Sequence, residues 1–310
     1  MSALFNIILP IFLVLGAGYV ATRTGLLKLS VSEALMSYTQ NIAFPCLLFL
    51  AISTFDLGEQ FHAPLLLSFY VGATACFFLG MFGARLFGRD PEDAVVIGFC
   101  CLFSNSMMLG VPITERAFGH GALDGNFAII AIHAPFGYTL GIVAMELTRA
   151  GGQGLAVTAL AKRILRQIFT NPLVIALLCG FVVNLSGLTV PKPLDDALQI
   201  IARSALPAAL FAVGGVMVQY KIEGDWRLIG MICVLTLLVH PGITWALGRA
   251  FDLSTASLRS AVLTACVAPG VNTYVFASLY DRAKRSAASG LLIATGACLF
   301  TSWFWLSVLP

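Results

Sequence analysis

Nine residues constrain this chain more than any others. Ser104–Pro112, reading Ser-Asn-Ser-Met-Met-Leu-Gly-Val-Pro, interrupts an apolar run from Asp93 to Phe118 that is otherwise long enough for one membrane helix. Pro112 cannot donate a hydrogen bond to the carbonyl of Met108, and Gly110 lowers the cost of leaving helical geometry. In lipid each unpaired backbone group costs several kcal/mol, so the break must face protein or a wet cavity. A second interruption, Cys266–Tyr274, reads Cys-Val-Ala-Pro-Gly-Val-Asn-Thr-Tyr and lies 162 residues further on.

That the run is a membrane run follows from composition. Of 310 residues, 59% are hydrophobic and 11% charged, with a mean hydropathy of +0.92. Soluble domains carry about 25% charged residues. Spans of crossing length are expected at about 2–22, 33–53, 64–86, 93–118, 126–147, 168–187, 194–219, 226–248, 258–280 and 284–307. These make an all-α polytopic membrane protein of ten transmembrane helices, with the fourth and ninth broken. Residues 2–22 read as a retained span, since no basic residue precedes them. The eight cysteines all fall in apolar spans and read as small packing residues; no metal-ligand spacing and no cofactor motif is present. No Walker A pattern points to ATP. The net charge of +3 sits in short loops and suggests no nucleic-acid partner.

Basic residues set the expected orientation. Loops after the odd-numbered spans hold thirteen Lys and Arg against four on the other side, which places both termini outside the cytoplasm. Shifting the chain by 162 residues lays Pro10 on Pro172, Gly18 on Gly180, Pro45 on Pro207, Gly80 on Gly242, and one break on the other. Residues 1–150 and 168–310 then form two five-helix repeats joined by a short cytoplasmic linker, 151–167. An odd number of spans per repeat inverts the second against the first. Inverted repeats with discontinuous helices mark secondary transporters, with the substrate site between the breaks.

Several segments together carry a family resemblance: Asn41-Ile-Ala-Phe-Pro45, Phe103–Pro112, Asn171-Pro172, Ala205-Leu-Pro207 and Ala268-Pro-Gly-Val-Asn272. The chain resembles the auxin efflux carrier family, over nearly its whole length. The resemblance implies a scaffold made of spans 1, 2, 6 and 7. Spans 3–5 and 8–10 would form a moving domain in which spans 4 and 9 cross at their breaks. Plant members carry a long loop between the halves; the linker of about twenty residues here favours the bacterial malonate and malate permease branch. It also implies an elevator-type motion, a homodimer and residence in the cell (inner) membrane.

Candidate site residues follow from the breaks. Asn105 and Asn272 can cap exposed half-helix ends or offer an NH₂ to a carboxylate. Ser104, Pro112, Pro269 and Gly270 complete the interrupted stretches. Pro45 and Pro207 free the carbonyls of Asn41 and Arg203, which the repeat pairs as an amide and a guanidinium. A charge within a span faces a polar interior, and Arg203 can hold a carboxylate in two parallel hydrogen bonds. Its alternative role is a structural pair or a subunit contact. His133 and His240 can relay protons, or simply bond between helices. The expected function is alternating-access transport of a small mono- or dicarboxylate, with H+ or Na+ as a coupling ion. The alternatives are a sodium-coupled carrier of bile-acid-type anions and, from another class, an intramembrane sensor or enzyme.

Overall fold

The computed structural model describes residues 2–54, 62–150 and 169–310, together with Thr158, Ala161, Lys162, Leu165 and Arg166. The linker expected at 151–167 falls largely outside the described residues.

Apolar runs become helices wherever the sequence lets the backbone satisfy itself. In chain order they are α1 (Ser2–Arg23), α2 (Leu29–Ser53), α3 (Ala63–Leu86), α4 (Pro91–Leu102), α5 (Val111–Phe118), α6 (Asp124–Ala150), α7 (Pro172–Ser186), α8 (Lys192–Val216), α9 (Trp226–Ala250), α10 (Thr255–Ala265), α11 (Asn272–Tyr280) and α12 (Lys284–Val308). Among the described residues, six helices are long and apolar enough to cross a membrane: α2, α3, α6, α8 with its short extension to Gln219, α9 and α12. Ile7–Arg23 and α7 are apolar but shorter. The pairs α4/α5 and α10/α11 are the two interrupted stretches.

Proline shapes several helices in one recurrent way. A five-residue π turn precedes Pro45 (Thr39–Ala43), Pro112 (Ser106–Gly110) and Pro241 (Leu235–Val239). In each, the residue just before the proline donates five residues back: Phe44 to Thr39, Val111 to Ser106 and His240 to Leu235. Widening the turn relieves the clash of the proline ring with the carbonyl four residues back.

The helices pack in two groups. In one, α1 lies against α8, and α2 against α7 and α8. Tyr38 Oη meets Ser204 Oγ at 2.8 Å, and Asn184 Nδ2 donates to the Ile52 carbonyl at 2.9 Å. In the other, α3 packs on α4, α9 and α10, and α12 on α9 and α11. Here Tyr70 donates to the Ile129 carbonyl and the Trp305 indole to the Leu237 carbonyl. The site lies between the groups, where the interrupted helices meet.

Candidate functional site

Helix α4 stops at Leu102 because Phe103 leaves helical geometry (φ −88°, ψ 87°) and Asn105 follows at φ −77°, ψ 53°. Helix α10 stops at Ala265, and α11 begins only at Asn272. The two gaps repair each other. Ser104 and Pro269 form an isolated antiparallel bridge, in which Asn105 N–H donates to the Ala268 carbonyl at 2.8 Å and Gly270 N–H to the Phe103 carbonyl at 2.9 Å. Non-helical backbone is thus paired deep inside the protein, as the cost of leaving it open requires.

Aromatic rings clamp the crossing. Phe99 of α4 stacks on Phe276 of α11, with ring centroids 4.1 Å apart and planes 9° apart, and on Phe103 at 5.1 Å. Two glycines of α6 make room. A Cβ at Gly137 would lie 2.7 Å from the Phe103 ring, and one at Gly141 2.7 Å from the Phe99 ring.

Beside the bridge opens a cavity of about 260 Å³. It brings together Asn41, Ser104, Asn105, His133, Gly270 and Asn272, residues from four separate stretches of sequence. Gln40, Ser106, Tyr138, Thr170 and Asn171 join them. Among the described residues, no Lys, Arg, Asp or Glu lines it. The Asn105 and Asn272 amides make no side-chain hydrogen bond to described residues, so their donors are available to a ligand. Asn41 Nδ2 donates to Ser37 Oγ at 3.0 Å, and Asn171 Oδ1 caps α7 by accepting from Leu173 N–H. His133 Nε2 lies 3.5 Å from Ser104 Oγ, while its Nδ1 is buried without a partner among the described residues.

The electrostatics come from backbone. The π turn leading into α5 and helix α11 both begin at this cavity, although in α11 the N–H groups of Thr273 and Tyr274 already donate to the Gly270 and Val271 carbonyls. Each such end carries roughly half a positive charge. With amide and hydroxyl donors around it, the cavity can hold a carboxylate without a full countercharge.

Other expected residues lie elsewhere. Pro112 is buried within the first turn of α5, shaping the π turn, and Pro269 sits in the bridge. Neither lines the cavity. His240 is buried on α9, its Nε2 3.3 Å from the Phe69 carbonyl. The Phe69 ring stands between it and His133, at 4.8 and 5.5 Å. Arg203 lines a second, separate cavity. Gln40, Asn171 and Tyr138 were missed as site residues; each lies in a span or at its edge, and only the neighbouring Asn41 and the Asn-Pro helix start hinted at two of them. Asn126 was missed too. It is fully buried and donates to Thr114 Oγ1 of α5 at 3.1 Å and Thr264 Oγ1 of α10 at 2.8 Å, tying one half of each interrupted pair to α6. No group of three His, Cys, Asp or Glu stands close enough to hold a metal among the described residues.

Comparison with known proteins places the chain among transporters. The chain is 26% identical over 300 residues to a Rhizobium meliloti (strain 1021) protein named "Putative malonate transporter", covering 95% of this chain and 92% of the relative. It is 24% identical over 313 residues to "Uncharacterized transporter YfdV" of Escherichia coli (strain K12), covering 97% and 96%. It is 23% identical over 317 residues to the "Lysosomal cholesterol signaling protein" of Mus musculus, covering 95% of this chain but 36% of that protein. The family model described as membrane transport protein matches residues 3–306, and on that match the chain belongs to this family of transporters, the auxin efflux carrier family.

Proposed function

We propose that this protein is a secondary transporter for a small organic anion, a mono- or dicarboxylate of the malonate or malate kind, and that the anion binds where the two interrupted helices cross. The observation that carries the reading is convergence: two half-helix N-termini and two asparagine amides without a partner among the described residues meet at one polar cavity whose described lining carries no charged side chain. The anion meets no full countercharge among the described lining residues. Partial charges bind it and let it go. The name of the Rhizobium meliloti relative supports the substrate class.

The transport cycle in this reading is alternating access of the elevator type. Ten spanning helices form a 5+5 inverted repeat; α1, α2, α7 and α8 make the fixed scaffold of a homodimer. The rest carries the crossing across the cell membrane. His133, beside Ser104 in the cavity, is the group placed to exchange a proton if H+ is the coupling ion; Na+ is the other candidate.

The test is uptake of radiolabelled malonate, malate, succinate and indole acetate into proteoliposomes, by wild type, Asn105→Ala and Asn272→Ala. Each variant should lose roughly five- to hundred-fold in apparent affinity, from about 1–3 kcal/mol of lost hydrogen bonding, while remaining folded. Unchanged affinity and rate in both variants would remove the crossing as the site.

A further inference from the structure

The second cavity measures about 610 Å³ and approaches the crossing from the other side of the molecule. Two independent helices establish this. The crossing cavity touches α7 at its start, Asn171–Leu173, whereas the second touches α8 at its first turns, from Asp195. The fifteen residues of α7, about 22 Å of helix, separate those two levels. On α2 the crossing cavity ends at Phe44 and the second begins at Leu47; on α6 the border runs between Ile130 and Phe127. Three residues of helix are about 4.5 Å. The two cavities are thus held apart by little more than one layer of apolar side chains, among which Phe44 and Phe127 are buried.

One charged side chain in the second cavity has no partner among the described residues. Asp195 accepts from Gln199 Nε2 at 2.7 Å, and Glu115 has interactions of its own. Arg203 makes no ion pair or hydrogen bond through its guanidinium to any described residue. It stands eleven residues into α8, about 16 Å along the axis, a depth at which a guanidinium is costly unless it faces water or a partner. Gln199 lies one turn before it on the same face, and Pro207, which also lines the cavity, removes the N–H that the Arg203 carbonyl would otherwise bond.

We propose that this cavity is the vestibule on the membrane face opposite the inter-half linker, and that Arg203 is its anion-capture residue, binding a single carboxylate of the transported anion before it passes the layer formed by Phe44, Leu47, Phe127 and Ile130. The inference rests on the transport reading for its direction of flow, but the site itself does not. Because Glu115 and Asp195 share the cavity, it is no uniformly positive funnel; the planar fork of one guanidinium is the point of recognition.

The test uses a cysteine introduced at Thr54, which lines this cavity, in full-length protein whose Cys46, Cys179 and Cys233 are replaced by alanine, the five native cysteines that remain being buried. Labelling by an impermeant thiol reagent is followed with and without malonate, succinate or acetate. At least one of these carboxylates should slow labelling. Arg203→Gln should abolish that protection, and Arg203→Lys should raise the protecting concentration by roughly five- to hundred-fold. Asn105→Ala should lose transport yet keep protection, which separates failure at the crossing from failure here. If no carboxylate protects with Arg203 intact, the vestibule site is wrong. If protection survives Arg203→Gln, or if both Arg203 variants change only melting temperature or dimer content, Arg203 is structural and the assignment falls.

Discussion

Asn126 shows how a single side chain organises the centre of this protein. Its amide donates to two threonines from different interrupted pairs, and Thr264 in turn donates to the Ser260 carbonyl at 2.6 Å. Asn126→Ala should destabilise the protein by about 1–3 kcal/mol, because two buried hydroxyls lose a donor with no water to replace it. Melting temperature in detergent checks this; an unchanged value would mean the threonines find other partners at no cost. Asn105 and Asn272 were legible in the sequence because they sit in stretches that already break an apolar run. Asn126 was not, because an amide at the expected start of a span looks like a boundary residue. Arg203 was legible as a charge out of place. Which of two cavities it faces depends on the rotation of α8, and no local pattern encodes that.

At the scale of helices, close packing and end contacts decide what can move. Gly214 of α8 meets α1 backbone to backbone: a Cβ there would lie 1.8 Å from the Leu15 carbonyl oxygen. Small residues at such crossings let membrane helices approach. Gly214→Ala should therefore force α1 and α8 apart and lower stability by about 1–3 kcal/mol or more, whereas Gly16→Ala, with nothing within 4 Å, should not. Thermal melts of the two variants side by side make the comparison. A second contact joins three helix ends. Glu92, in the first turn of α4, accepts from Arg149 at the end of α6 at 2.8 Å and from Arg282, just past α11, at 3.3 Å. These guanidiniums, Arg149 foremost, hold the Glu92 carboxyl below the ordinary glutamate range. The folded state therefore resists protonation there more than the unfolded chain does. The stabilisation is present above the ordinary glutamate value and fades as pH falls through the depressed one. Because the pair is partly solvated, the effect is small. Glu92→Gln should flatten that acid-side dependence in a melting-temperature profile against pH; an identical profile would show that the cluster contributes nothing to folding.

For the whole molecule, orientation remains a proposal from the distribution of Lys and Arg. Cysteines introduced at Ser2 and Pro310 should react with an impermeant reagent from outside the cell, and one at Gln153 should not. Labelling of the Gln153 variant from outside would invert the arrangement, and with it the side on which the Arg203 vestibule opens. What the sequence determined by itself was the class, the positions of the helices and the location of the two interruptions. Those follow from local physics: apolar length, a missing proline N–H, and polar residues where lipid would not tolerate them. The two stretches that hold Ser104, Asn105 and Asn272 are legible on that ground alone, and the family resemblance rests on them together with Asn41–Pro45, Asn171-Pro172 and Ala205–Pro207. The tertiary structure alone decided that the two gaps bridge each other through Ser104 and Pro269, that Gln40, Asn171 and His133 close the same cavity, and that Arg203 belongs to another. These are pairings between segments tens to more than a hundred residues apart, or rotations of a helix about its axis. Both are settled by packing among helices, where a glycine lets backbones touch and a ring fills the remaining space, and neither leaves a mark on the local pattern of the chain.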